Sequence, residues 1–281
     1  MNYLIYRDGD ASPPDIVAQM KQPMEAVKIK TPEFSKLKGP GLAVRFGTTA
    51  TIPNWREEKL KVVNRAEAIH AGFEKASARR LFMAAGVLTP ETWFDEELAP
   101  RPSPAKPLIV RPATHGRQSD FYVAKSPREL IEAVAKCGQG YYISEYIPKV
   151  KEYRVHIAQG RVLAITDKIP DNVKEYAWGV RGITWTNVRW SEWPLKVAAE
   201  AIAASLLLGY DFSAVDVVVN EDGSPYVLEA NSAPHLSYYE AETYARYFDY
   251  IIVNGKGDLP EIKGNTWKHF IHPANTPDAI V

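Results

Sequence analysis

Two carboxylates and an amide late in the chain have the residue types and spacing to hold a cation. Asp216 lies in the run 213-SAVDVVVN-220, Glu229 and Asn231 lie in 225-PYVLEAN-231, and 221-EDGS-224 separates the two. The runs read as the arms of a hairpin. Side chains repeat every two residues along a strand, so Glu229 and Asn231 share a face, with Asp216 on the partner strand. Three oxygen donors converging at one end of a sheet suit a hard cation such as Mg²⁺ shared with phosphate oxygens. Taken alone, the pattern would fit a hairpin with its carboxylates in water. The flanking VVV and YVL runs argue otherwise, because they bury the strands, and burying unpaired carboxylates costs several kcal/mol.

A basic set comprises Lys75, Arg111, Arg154 and Lys168. Arg111 ends an apolar strand before a proline, and Arg154 and Lys168 lie on the two arms of a hairpin that turns at Gln159–Gly160. Singly, each suits a surface position or an ion pair. Together, cations on adjacent strands beside a metal site are what triphosphate binding needs. The loop 113-ATHGRQSD-120 offers small residues and backbone amides that could cover phosphates. Its single glycine makes it a weak phosphate loop, and His115 would serve equally as a water-satisfied loop histidine. The segment 171–193 carries Trp178, Trp185, Trp190 and Trp193 with Arg181 and Arg189. It reads either as aromatic packing of a long loop on the core or as a platform for a peptide, an amino acid or a base.

These residues need elements to position them. Short buried strands are expected at 3-YLIY-6 and 42-LAVRFG-47, with a helix near 13–22 between them, forming a small α/β unit. Residues 64–86 follow a helical pattern. Asn64 and Glu67 have capping-box spacing, Gly72 divides the segment and Gly86 stops it. Residues 95–107 are acidic and then Pro-rich, reading as a linker. Strands follow at 108–112, 120–124, 141–147, 152–158 and 161–169, with helices at 127–137 and 194–208. Residues from 254 onward read as coil or tail.

Composition narrows the classes of function. The 281 residues allow one to three domains, and 46% hydrophobic with 24% charged residues matches an ordered globular chain. Lys+Arg 34 balances Asp+Glu 34, which argues against a general nucleic-acid coat. The Trp/Arg segment leaves a nucleic-acid acceptor open. The lone cysteine, Cys137, fits a reducing compartment. No apolar stretch approaches the roughly 20 residues needed to cross a bilayer. The most apolar one, 197–208, is interrupted by Glu200 and Ser205, and the N-terminus lacks the plan of a signal peptide. A cytoplasmic globular protein with no membrane partner is expected.

In order, "IVRP…EL…SEYI…EYRVHIAQGRVL…K…AVDVVVN-x-DG-x-PYVLEANSAP" resembles the ATP-grasp superfamily over roughly residues 64–236. That superfamily includes D-alanine:D-alanine ligase, glutathione synthetase and the ribosomal-protein glutamate ligases. The resemblance implies an α/β (α+β ATP-grasp) fold: a small N-terminal α/β domain at 1–66, then two α+β subdomains clasping ATP between antiparallel sheets. These would be a central lid subdomain at 67–146 and a metal-bearing subdomain at 147–253, followed by a tail at 254–281.

Residue by residue, the resemblance gives Lys75 and Arg111 to the ATP phosphates, Arg111 standing where relatives carry lysine. A planar fork there replaces a point charge. The carbonyl of Glu145 and the amide of Ile147 would read the adenine edge beside Tyr146, and Glu152 would take the ribose hydroxyls. Arg154 matches a catalytic cation near the transferred phosphate, and Lys168 a phosphate-contacting, catalytic lysine. Asp216, Glu229 and Asn231 match the ligands of two Mg²⁺ ions. The glycine-rich loop corresponds to 114–120, where Arg117 or His115 takes over from backbone amides. Arg45 and the Ser232, Pro234, His235 group are candidates for the substrate pocket. The activity implied is ATP-dependent ligation of a small-molecule, peptide or protein carboxylate to an amine through an acylphosphate. A kinase on the same fold and a non-catalytic nucleotide- or nucleic-acid-binding module are the alternatives. The intact Asp216, Glu229 and Asn231 weigh against the module.

Overall fold

The computed structural model describes residues 1–114, 120–138, 140–170 and 183–256. His115, Arg117, Trp178 and Arg181 lie outside the described residues, as does the tail from 257. Three sheets organise the chain.

The first sheet is parallel. Strands β1 (Tyr3–Tyr6), β2 (Glu25–Lys28), β3 (Gly41–Phe46) and β4 (Leu60–Val63) lie in the order β2-β1-β3-β4. Helix α1 (Ser12–Ala18) crosses between the first two. The expected β1 and β3 are present. β2 and β4 are additions, short strands in a stretch whose Pro and Lys content masks their period.

Residues 64–86 form two helices, α2 (Ala66–Phe73) and α3 (Lys75–Ala84), and Gly86 follows the second at φ 75°. Two expectations here are corrected. The break falls at Glu74, whose extended backbone separates the helices. Gly72 stays helical, and a Cβ there would lie 2.0 Å from the Tyr210 hydroxyl, so its role is close packing. Asn64 is no N-cap: Arg65 holds that position without a side-chain cap. Asn64, fully buried at φ 59°, instead crosses to a distant turn. Its Oδ1 accepts from the amides of Asp211 (2.8 Å) and Phe212 (3.1 Å), and its Nδ2 donates to the Phe212 carbonyl (2.9 Å). Asparagine tolerates this left-handed backbone better than most residues.

The second sheet is antiparallel, in the order β5-β8-β6-β7, and contains β5 (Thr92–Trp93), β6 (Leu108–Pro112), β7 (Tyr122–Ala124) and β8 (Tyr141–Glu145). Helix α4 (Pro127–Cys137), capped by Ser126, packs on it through Leu130 and Ala133.

The third sheet, order β11-β10-β9-β12-β13, is also antiparallel. It holds β9 (Lys149–Ala158), β10 (Arg161–Pro170), β11 (Ile183–Asn187), β12 (Phe212–Asn220) and β13 (Pro225–Asn231). Gln159 and Gly160 both have positive φ, as a two-residue hairpin turn requires. One face carries Val155, Ile157, Val215, Val217 and Val227 against α2, α3 and α5 (Leu195–Leu207). The opposite face changes character along β9. Ala158 packs under α6 (Tyr238–Asn254) and the first sheet, His156 is fully buried, and Arg154 and Glu152 follow.

Helix α6 has no counterpart among the sequence expectations. Its signal is present nonetheless: Ser237 and Glu240 make a capping box ahead of Ala241, Tyr244, Ala245, Phe248 and Ile251.

Asn64→Ala should cost about 3 kcal/mol in urea unfolding, since it strands buried amides and a carbonyl at a left-handed position. A loss below about 1 kcal/mol would show that Asn64 does not hold α2 to the 211–212 turn.

Candidate functional site

A cross-strand row gives the site its frame. Thr166 on β10 faces Arg154 on β9, Arg154 faces Asp216 on β12, and Asp216 faces Glu229 on β13. Arg154 donates Nε to Asp216 Oδ1 at 2.7 Å and Nη2 to Oδ2 at 2.9 Å, a bidentate fork. Burial works against the guanidinium's charge, but Asp216, backed by Glu229 and Glu240, holds its pKa above the ordinary value. A register shift makes Leu228 an extra residue opposite the step from Asp216 to Val217. That bulge is why Val227 faces the core while Glu229, two residues on, faces the site. Asn231 returns to the Glu229 side and donates Nδ2 to Glu229 Oε1 at 2.9 Å.

Lys75 reaches this cluster from the first position of α3. Its Nζ lies 3.3 Å from Asn231 Oδ1 and 3.5 Å from Glu229 Oε2, and its amide donates to the Ala113 carbonyl at 2.8 Å. One turn later Arg79 is buried and donates to Thr89, whose hydroxyl donates to the Val227 carbonyl. Burial lowers the Arg79 pKa, against the pull of Tyr142 and Glu229, while Arg111 pushes the same way as burial. Arg111 faces Tyr142 across β6 and β8 and bonds to it, with Phe121 5.9 Å beneath. Arg79 is not among the sequence candidates, although its i, i+4 spacing from Lys75 puts it on the same helix face.

Glu152 and Lys168 also meet. Lys168 Nζ donates to Glu152 Oε1 at 2.6 Å, and Lys149 Nζ donates to Oε2. Burial would raise the Glu152 pKa, but the two lysines hold it below its usual value. Trp185 on β11 covers both cations, with Arg154 Cζ 4.9 Å and Lys168 Nζ 5.8 Å from its ring centroid. Trp193, by contrast, packs against the core and donates to the Val188 carbonyl. The Trp-rich segment thus divides its described rings between core packing and the charged site.

Glu145, Tyr146 and Ile147 form the end of β8 and its connection to β9. Glu145 exchanges backbone and side-chain bonds with Glu91, and the Tyr146 amide donates to the Pro107 carbonyl. These three stand apart from the ion cluster. Arg45 is a buried scaffold residue whose Nη1 donates to the carbonyls of Ala50 and Thr48. Pro234 is buried and His235 is exposed.

Beneath Arg154 runs a second network. Glu240 Oε1 accepts from Thr166 Oγ1 (2.6 Å) and meets His156 Nε2 (3.1 Å), while Oε2 accepts the Ser237 amide at 2.6 Å. Burial opposes this, yet these bonds hold the Glu240 carboxyl well below the usual range. Beside Asn231 a pocket of about 90 Å³ is lined by Arg7, Gly47, Phe73, Lys75, Tyr210 and Ser232, among others. Burial raises the Tyr210 phenol to about 12. A wider groove of about 610 Å³ borders Arg65, Glu67, Asp211 and Lys256 and shares no residue with the ion cluster.

The donors suit a hard cation. Asp216 and Glu229 are adjacent and anionic, and Asn231 adds an amide oxygen. Among the described residues no group of three His, Cys, Asp or Glu converges, so a cation here would depend on Asn231 and on oxygens brought by a ligand. The neighbouring cations suit such a ligand if it is polyanionic.

Known proteins share this arrangement of chain. A family model described as an ATP-grasp domain, clade family 3, matches residues 59–250. D-alanine–D-alanine ligase of Gloeobacter violaceus is 27% identical over 184 residues, which is 58% of this chain and 60% of that protein. A probable α-L-glutamate ligase of Parasynechococcus marenigrum is 26% identical over 212 residues, 72% of this chain and 44% of that one. The chain therefore matches 60% or less of the length of these curated relatives. In solved structures, D-alanine–D-alanine ligase from Bacillus anthracis superposes with a TM-score of 0.65 at 16% identity, covering 91% of this chain and 97% of the other. The ATP-grasp ligase PsnB, complexed with minimal precursor, Mg and ADP, gives 0.65 at 12%, covering 90% and 97%. These likenesses establish the fold, an α+β ATP-grasp architecture. With well over half of its residues matched by the family model, the chain belongs to clade family 3 of the ATP-grasp domains.

Proposed function

We propose that this chain is an ATP-dependent ligase that joins a carboxylate to an amine through an acylphosphate and releases ADP and phosphate. One observation carries the reading. Arg154 and Lys75 converge with Asp216, Glu229 and Asn231 on a single patch, and Trp185 bridges that patch to Lys168. The relatives' names, ligases of D-alanine and of glutamate, support the same class.

In this reading Asp216, Glu229 and Asn231 hold Mg²⁺, and two ions would draw charge from the terminal phosphates of ATP. Lys75, Arg111 and Lys168 bind those phosphates, with Arg117 or His115 contributing from the 114–120 loop. Glu145, Tyr146 and Ile147 seat the adenine, and Glu152 takes the ribose. A substrate carboxylate oxygen attacks the γ-phosphorus, and the bond to the β–γ bridging oxygen breaks, leaving ADP. Arg154, fixed by its two bonds to Asp216, steadies the charge on the phosphoryl oxygens. The neutral amine then attacks the acyl carbon, phosphate leaves with the bonding pair, and the amine loses its proton to solvent. The pocket beside Asn231, with Arg7 and Lys75 in its wall, suits the acid. Residues 67–146 act as the lid that keeps water from the acylphosphate. The ligase works in the cytoplasm, where ATP is present and Cys137 stays reduced.

Incubation with ATP, Mg²⁺ and pooled carboxylic acids, with hydroxylamine in place of the amine, should yield ADP and a hydroxamate by mass spectrometry. AMP and pyrophosphate would overturn the mechanism, and ADP with a stable phosphoester would make the protein a kinase. Glu229→Gln should lower turnover by at least about 100-fold with the thermal midpoint retained, since it removes a charge from the metal set. Wild-type turnover at saturating ATP would refute that assignment. Lys168→Ala should weaken ATP about ten-fold or more and adenosine little, because a charged hydrogen bond contributes about 1.5–3 kcal/mol. Equal weakening in calorimetry would show that Lys168 serves the fold.

A further inference from the structure

Glu152 holds one cation more than its charge needs. Both of its oxygens are taken by lysines, and the three side chains are buried together, Lys149 and Lys168 each 10% exposed and Glu152 8%. Desolvating a second ammonium beside one carboxylate is unfavourable unless that ammonium has a task. The backbone also departs from regularity to bring Lys149 there. Along an unbroken strand, residues three apart point to opposite faces. Opposite β12, Val219 pairs with Lys151 but Asn220 pairs with Lys149, so Val150 is an extra residue. This bulge returns Lys149 to the face of Glu152. Lys168, in contrast, has two other neighbours on its side of the site, the indole of Trp185 and, beyond it, Arg154.

We propose that Lys149 is a positioning residue for the nucleotide: it keeps the Glu152 carboxylate paired and oriented while Lys168 transfers from Glu152 to a phosphate oxygen of ATP. The proposal rests on the reading of Glu152 and Lys168 as nucleotide contacts. Without Lys149, the transfer would leave a buried carboxylate with no cation, so Lys168 would be held back from the phosphate. Lys149 itself need not touch the nucleotide. Its effect passes through Glu152, which makes it separable from a direct contact and from a purely structural one.

The experiment is calorimetric titration of the full chain with ATP and Mg²⁺. The variants are Lys149→Met, Lys149→Arg, Glu152→Gln and the double variant Lys149→Met/Glu152→Gln, with thermal melting to check the fold. Lys149→Met should weaken ATP about ten-fold or more, and Lys149→Arg should stay within a few-fold of the parent, because it restores the cation. In the Glu152→Gln background, where no anion remains to compensate, Lys149→Met should add less than about a two-fold effect. Unchanged affinity in Lys149→Met, or the same loss with and without Glu152, would overturn the proposal for Lys149 alone. If Glu152→Gln binds ATP like the parent chain, the nucleotide reading of Glu152 fails, and the proposal fails with it.

Discussion

The Arg154–Asp216 fork crosses neighbouring strands where the central sheet passes from core to open site. On one side of that point the same face is covered by α6 and the first sheet, and on the other it carries Glu152 and Lys168. Charges this close to an apolar interior must be partnered, because a single buried ion costs several kcal/mol. The fork meets that condition with two aligned bonds. It also lets Glu229, the next residue along the row, face Lys75 and Asn231. The charged site can therefore begin within one residue pair of the core.

The same constraint reaches below the row. Glu240 serves three structures at once: the capping box of α6, the hydroxyl of Thr166 and the ring of His156. Thr166 is the cross-strand partner of Arg154. The start of α6 is thus tied to the strand pair that carries the arginine, and α6 in turn packs Tyr244, Tyr247 and Phe248 under the parallel sheet. One carboxylate therefore links the helix that supports the first sheet to the strands that carry the ion cluster.

Much of this is legible in the chain. Residues with a strict local signature stand out: the Gln159–Gly160 turn, the helix at 127–137 and the Asp216/Glu229/Asn231 set. Alternation alone brings the last three to one hairpin. The cross-strand meeting of Lys168 with Glu152 is implied only by resemblance, since register between β9 and β10 depends on the turn that joins them. What stays hidden has physical reasons. Asn64 carries the chemistry of a helix cap, and only its partners at 211–212, far along the chain, show that it caps nothing. Lys149 looks like one of several surface lysines in KVKE, and its place beside Glu152 follows from a bulge that no residue type announces. β2 and β4 are too short for a period to emerge, and they form because β1 and β3 offer edges. The capping box of α6 is local and readable, but it follows directly on the metal motif, whose residues claim the same stretch.

The bulges at Val150 and Leu228 carry a further consequence, one of parity. Each is a single inserted position that turns an odd count into an even one, so the pleat on its two sides is out of phase. Substitution can exchange side chains at these points without altering that count, whereas loss of either position would invert the facing of every residue on one side of it. Removing Leu228 would offer Val227 to the ions or Glu229 to the core. The site therefore tolerates changes of letter better than changes of length. Two residues with no polar chemistry of their own set the phase in which the charged ones are read.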